Sequence, residues 1–225
     1  MLITISNIFS PNGLESAHKR INKLEWKSGL NTAGKTAKQV KKNFQADLSQ
    51  GIGAVLQSDI LNALQGNAVL QAAAQPKSFS NLLISKTENG GFYGAHIDNA
   101  LMNMAKGKLR TDLSFTLFLS DPNSYDGGEL IVQYPGFTQT FKPEAGDLVL
   151  YPSRYIHEVT PVTRGTRLAC VGWVESLIPQ QDKRETLFDL INLRASLSHQ
   201  FPAQSAELMT LNKTISNLLR LWAQP

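Results

Sequence analysis

Between about residues 78 and 177, apolar and polar positions alternate in short runs rather than at helical spacing. Such runs, rich in β-branched and aromatic residues, read as strands over 81–86, 93–97, 113–120, 129–133, 139–141, 147–151, 158–161 and 167–175. Turn residues separate them: Asp121 with Pro122, Gly127 with Gly128, Pro135 with Gly136, then Pro143, Pro152 and Gly165. About eight short strands at this spacing predict a sandwich or jelly roll, mainly β with flanking helices. The 99–108 stretch between two strands is expected to be a rim loop.

Helical periodicity brackets this zone. Ser10 before Pro11 is an N-cap signal, and Leu14, Ala17, Ile21 and Leu24 then recur on one face. Residues 47–75 read as one or two more helices, with Ile60, Leu61, Leu64, Val69 and Leu70 buried. After Pro179, Asp182 and Glu185 resemble a capping pair for a helix through about Leu197. Leu208, Leu211, Ile215, Leu218, Leu219 and Trp222 form an apolar stripe that needs a partner. Packing on the N-terminal helices is expected, and the alternative is a homo-oligomer contact through the C-terminal helices. The expected organisation is a helical segment over 1–77, a β core over 78–177 and a helical extension over 178–225.

The chemistry concentrates in the β zone. His96 and Asp98, in the run YGAHID at 93–98, are two apart on a predicted strand and so project to one side. His157 follows another strand and needs a closed fold to join them. Two imidazoles and one carboxylate can occupy one face of a metal and leave the other open, the arrangement of non-haem Fe(II) oxygenases. Arg167 lies in a run that reads as a buried strand, where an unpaired guanidinium is costly. A carboxylate ligand such as 2-oxoglutarate would pair with it bidentately. An internal ion pair with Asp112 is the alternative, while Asp112 is also a candidate partner for Arg110. Arg164 is expected at the surface.

These stretches resemble the Fe(II)/2-oxoglutarate-dependent dioxygenase superfamily, and within it the bacterial PKHD-type hydroxylases related to prolyl 4-hydroxylases. The resemblance rests on YGAHIDNA at 93–100, RTDLSFTLFLSDP at 110–122, YDGGEL at 125–130, GDLVLYPS at 146–153, HEVTPV at 157–162 and GTR at 165–167. It covers roughly residues 80–176. It implies a double-stranded β-helix (jelly roll) core with N-terminal and C-terminal helices. It also implies His96, Asp98 and His157 as Fe(II) ligands, and Arg167 as the clamp on the 2-oxoglutarate carboxylate. O2 is implied as the second co-substrate and ascorbate as a reductant for oxidised iron. The expected reaction hydroxylates a substrate while 2-oxoglutarate is oxidatively decarboxylated to succinate and CO2. Relatives often carry an aromatic nine or ten residues before the first ligand; Lys86 and Thr87 stand there, and no second 2-oxoglutarate contact is assigned.

A non-oxidative cupin, either an isomerase or a small-molecule binding module, is the competing reading. Pro152 and His157 have the spacing of a second cupin motif, but Arg154 replaces its glycine, and Arg167 has no role in that scheme. A silent binding protein on the same fold is a further alternative.

Composition narrows the field. The 225 residues are 42% hydrophobic and 18% charged, which fits a globular chain with one sizeable core. Cys170 is the single cysteine, so no intrachain disulfide forms and a reducing cytoplasm is the simplest compartment. Cys170 itself reads as a small core residue. No apolar run of about 18 residues exists, so no membrane contact is expected. The first residues lack the charged and apolar regions of a signal peptide. A net charge of +4 neither requires nor favours nucleic acid. Lys35, Lys38, Lys41 and Lys42 form a basic stretch, read as a solvated face or alternatively as a lip at the substrate entrance. The substrate, a small molecule or a peptide, is not identified by any motif. His18 and His199 lie in helical zones and are not ligand candidates.

Overall fold

Strand alternation explains where the core and the site lie. The computed structural model describes residues 1–31, 37–46, 48–105 and 107–225. The chain enters through β1 (Ile3–Ile5), α1 (Pro11–Ile21), β2 (Trp26–Ser28), β3 (Lys41–Lys42) and β4 (Phe44–Ala46). Next come α2 (Gly51–Gly66), α3 (Ala68–Ala74), β5 (Pro76–Phe79), β6 (Leu83–Glu88) and β7 (Gly91–His96). A small hairpin, β8 (Leu101–Asn103) and β9 (Lys108–Arg110), leads to β10 (Leu113–Phe118). The remaining strands are β11 (Asp126–Gly127), β12 (Leu130–Tyr134), β13 (Phe137–Phe141), β14 (Leu148–Pro152), β15 (His157–Arg164) and β16 (Thr166–Ser176). Helices α4 (Gln181–Leu197) and α5 (Ala206–Trp222) follow.

The larger antiparallel sheet runs β1-β14-β10-β16-β6-β4-β2, with β5 also on β16. The smaller runs β13-β12-β15-β7-β3, with β11 on β15. Together they form the expected jelly roll. Leu113, Phe115 and Leu117 of β10, Leu148 and Leu150 of β14, and Cys170 and Val174 of β16 share one core cluster with Ala17, Ile21, Leu56, Ile60 and Leu64 of the helices. The opposite faces of the same strands carry Ser114, Thr116, Tyr151, Arg167, Val171 and Trp173, which line a cavity between the sheets. Period-two alternation thus divides each strand into a packing face and a chemical face. Phe118, Leu130, Val132, Phe141, Val149 and Tyr151 form a second buried cluster, from which Leu130 and Tyr151 reach the cavity.

All eight strands expected in the β zone form, within a few residues of their expected ends. Ser10 caps α1, accepting from the Gly13 backbone N–H. The N-terminal zone departs from the helical expectation. It supplies β1, which pairs with β14, and the β2–β4 arm, which extends the larger sheet from β6 while β3 joins the smaller one. Strands of two or three residues carry too few positions for alternation to register; distant partners create them. The 99–108 rim holds the β8–β9 hairpin. Of the residues singled out in the sequence, Lys35 and Asp47 lie outside the described residues.

The C-terminal helices also differ from expectation. α4 starts after Gln180, which makes no side-chain cap, and Glu185 instead pairs with the Met1 ammonium group and accepts from Gln181 Nε2. The α5 stripe packs on Ile178, Leu187, Leu190 and Ile191, so α4 and the segment before it cover it rather than the N-terminal helices. No described helix is long and apolar enough to cross a membrane.

Candidate metal centre

His96 ends β7 and His157 begins β15, and the two are Cα partners across the adjacent strands. Their rings therefore meet on one face, with centroids 4.3 Å apart. Asp98, two residues past His96, joins them. Donor atoms of His96, Asp98 and His157 all lie within 4.8 Å of one another. His157 Nε2 is 3.5 Å from Asp98 Oδ2. Register thus brings His157 to the His96 and Asp98 pair, from which the sequence keeps it far apart.

Outer contacts set the orientation of each donor. His96 Nδ1 is 2.8 Å from the Gly94 carbonyl and His157 Nδ1 is 3.0 Å from the Tyr155 carbonyl. A carbonyl only accepts, so both Nδ1 atoms carry the proton and both Nε2 lone pairs are left for a metal. Burial, and next the neighbouring His157, push the His96 pKa well below its ordinary value, so its imidazole is neutral. Tyr93 stacks on His96 at 3.6 Å and 13°. Ser114 Oγ donates to Asp98 Oδ2 at 2.6 Å and lies 2.7 Å from Ser153 Oγ. Two imidazoles with their Nε2 atoms turned to the cluster and one held carboxylate fit a divalent metal with an open face towards the cavity.

The cavity has a volume of about 680 Å³ and reaches from this cluster to Arg167. Arg167 is only 2% exposed. Among the described residues, its Nε and Nη2 have no hydrogen-bond partner, and its guanidinium lies 5.0 Å over Phe118. Burial pushes its pKa down, opposed by Tyr125, Tyr151 and Glu129. Orphaned guanidinium donors at the end of a cavity fit a bidentate carboxylate. The alternative ion pair with Asp112 does not form. Asp112 accepts from Arg110 Nε at 2.8 Å and Nη2 at 3.0 Å, and from the Ser176 backbone at 2.8 Å. Arg164 pairs with exposed Asp126, as its surface placement requires.

Gly128 makes room for Arg167. It has φ +69°, and a Cβ there would lie 2.9 Å from Arg167 Cδ and 3.0 Å from Tyr125 Cε2. Gly128→Ala is expected to cost about 1–3 kcal/mol of stability through backbone strain and overpacking. It should weaken 2-oxoglutarate binding in the same variant. Urea denaturation and calorimetric titration check the two effects; normal affinity would show that Arg167 tolerates displacement.

Sequence reasoning missed Ser114 and Tyr151, and it read Lys41 first as part of a solvated face, with a lip at the substrate entrance as the alternative; Lys41 lines the cavity. A signal for the first existed: Ser114 and Thr116 alternate with Leu113, Phe115 and Leu117, so β10 has one polar face although it is buried throughout. Tyr151 packs edge-on against His157 at 5.0 Å and lines the same cavity as Arg167. Cys170 is buried in the helix-facing core, as expected.

A family profile described as the 2OG-Fe(II) oxygenase superfamily matches residues 82–175. A PKHD-type hydroxylase of Hyphomonas neptunium is 47% identical over 222 residues, covering 99% of both chains. The chain belongs to the PKHD-type hydroxylases of the 2OG-Fe(II) oxygenase superfamily. The PKHD-type hydroxylase YbiX of Escherichia coli is 42% identical over 225 residues and 100% of both chains. Among solved structures, a 2OG-Fe(II) oxygenase family oxidoreductase of Burkholderia pseudomallei aligns with TM-score 0.56 at 16% identity, over 77% of this hydroxylase and 84% of that chain. At that identity the likeness concerns the fold. Membership implies Fe(II), 2-oxoglutarate and O2 for this hydroxylase, and the donor set above suits the metal.

Proposed function

We propose that His96, Asp98 and His157 hold Fe(II), that Arg167 anchors the C5 carboxylate of 2-oxoglutarate, and that the enzyme hydroxylates a C–H bond of a small-molecule or peptide substrate. Overall, O2 would supply one oxygen atom to the substrate and one to succinate, as 2-oxoglutarate loses CO2. The observation that carries this reading is one cavity with a three-donor cluster on its wall and an orphaned buried arginine facing in.

Bound iron and 2-oxoglutarate supply the oxidation of an unactivated C–H bond, which no side chain can perform. The protein's own residues have other tasks. Gly94 and Tyr155 carbonyls hold the two imidazole tautomers, and Ser114 holds the Asp98 carboxylate. Arg167 would hold one carboxylate of the co-substrate at its end of the cavity. Buried Leu130 gives the cavity an apolar wall. Ascorbate is proposed as the reductant that restores oxidised iron, and the reducing cytoplasm as the compartment.

The test is an anaerobic titration of the apo-protein with Fe(II) and 2-oxoglutarate. A weak visible charge-transfer band at roughly 500 nm, reflecting ligand-tuned metal electronics, is expected only with both components and is expected to vanish in His96→Ala. Stoichiometric metal binding with no band would overturn the reading.

A further inference from the structure

We infer that Ser114 is a positioning residue that limits Asp98 to a single metal-binding oxygen and so keeps one coordination position open beside 2-oxoglutarate. The inference rests on the iron and 2-oxoglutarate reading above.

The carboxylate's mode of binding matters because positions on the ion are few. A carboxylate meets a divalent cation through one oxygen or through both. His96, Asp98 and His157, giving one donor each, leave half of an octahedral ion free. 2-Oxoglutarate takes two of the free positions, and one stays open for O2. A second oxygen from Asp98 would close it. Nothing in an aspartate itself prevents that, so a neighbour has to.

The backbone does not do it. β7 ends at His96, so Asp98 lies beyond the last paired residue of its strand. The two histidines are each held by a nearby carbonyl, whereas Asp98 relies on a distant side chain. Ser114 Oγ donates to Asp98 Oδ2 at 2.6 Å, the short range of a hydroxyl bonded to a charged oxygen. The same Oδ2 stands 3.5 Å from His157 Nε2, so this bond acts within the donor cluster. Turning both Asp98 oxygens onto one ion would break it. Ser114 is 2% exposed, which leaves little access for water to replace the lost acceptor. Ser153 Oγ, 2.7 Å away, is another acceptor in reach, but it is neutral. A hydrogen bond to an ionised acceptor is roughly twice as strong as one to a neutral group. Each hydroxyl has one proton; with that of Ser114 on Asp98, Ser153 donates to Ser114. Ser114 also cannot drift, because β10 is paired on both sides, with Tyr151 of β14 and Trp173 of β16 as its partners.

Manganese(II) reads the open position directly. The full-length protein is loaded with Mn(II) and saturating 2-oxoglutarate without oxygen, and loading is measured by calorimetry. Broadening of the Mn(II) electron paramagnetic resonance lines in water enriched in the magnetic oxygen isotope then counts exchangeable waters on the ion. The native protein is expected to keep one water and Ser114→Ala to lose it. Ser114→Thr, which retains the hydroxyl, should keep the water. Ser153→Ala removes a neighbouring buried hydroxyl but leaves the bond to Asp98, and it should keep the water as well. A water retained in Ser114→Ala would overturn the inference, as would its absence from the native protein. Loss of the water in Ser153→Ala would overturn it too, by tracing the effect to packing. So would a Ser114→Ala protein that no longer loads, since Ser114 would then govern affinity alone. Failure of the native protein to load strikes instead at the iron and 2-oxoglutarate reading.

Discussion

Asp98→Ala is expected to leave a folded protein that no longer holds Fe(II) and does not turn over 2-oxoglutarate. The carboxylate is the one anionic donor of the cluster, and only it hardens a two-imidazole site towards Fe(II). It is held at 2.6 Å by Ser114, which keeps Ser153 as a neighbour after the substitution. No buried charge is stranded, so the stability change should stay within about 1 kcal/mol. Loss of an outer partner of a metal ligand typically costs roughly 10–100-fold in affinity; loss of the ligand itself should exceed that. Equilibrium dialysis with Fe(II) under argon measures the effect, with circular dichroism as the control for folding. Native-like affinity in the variant would remove Asp98 from the metal site.

Arg167→Met should separate stability from function. Among the described residues, Arg167 Nε and Nη2 have no hydrogen-bond partner, and buried unpaired polar groups cost about 1–3 kcal/mol each. A methionine of comparable length removes that cost and keeps much of the packing on Phe118. The ligand-free variant is therefore expected to be more stable than the native chain by about 1–3 kcal/mol. Its affinity for 2-oxoglutarate should fall by about 2–5 kcal/mol, the usual loss when one member of a buried charge pair is removed. Native protein should melt higher as 2-oxoglutarate is added over bound Mn(II), following mass action, and the variant should not. Undiminished 2-oxoglutarate affinity would take Arg167 out of the carboxylate pocket. A large drop in ligand-free stability would show that its donors have partners after all.

Both expectations draw on residues that were visible in the chain before any fold was known. The spacing of His96 and Asp98 predicts two donors on one side of extended backbone, because side chains alternate with period two, although β7 itself ends at His96 and Asp98 follows it. A cationic residue amid the apolar run 167–175 announces a buried charge seeking an anion for the same local reason. Strong alternation, bounded by Gly, Pro and Asp turns, likewise made the eight strands of the β zone legible.

What local pattern cannot carry is pairing. His157 reaches His96 only because β15 and β7 lie in register. Arg167 is left without Asp112 because Arg110 and the Ser176 backbone occupy that carboxylate. β1–β4 are too short to show a period and exist through ladders with β14, β6 and β7. Lys41 read as one member of a basic stretch until that arm folded it over Tyr93. Donor types, strand periods and the reaction family follow from the sequence, since each depends on neighbours a few residues apart. The cavity, the orphaned guanidinium and the cation at its wall come from tertiary contacts alone, because hydrogen-bond register between distant strands decides which side chains share a space.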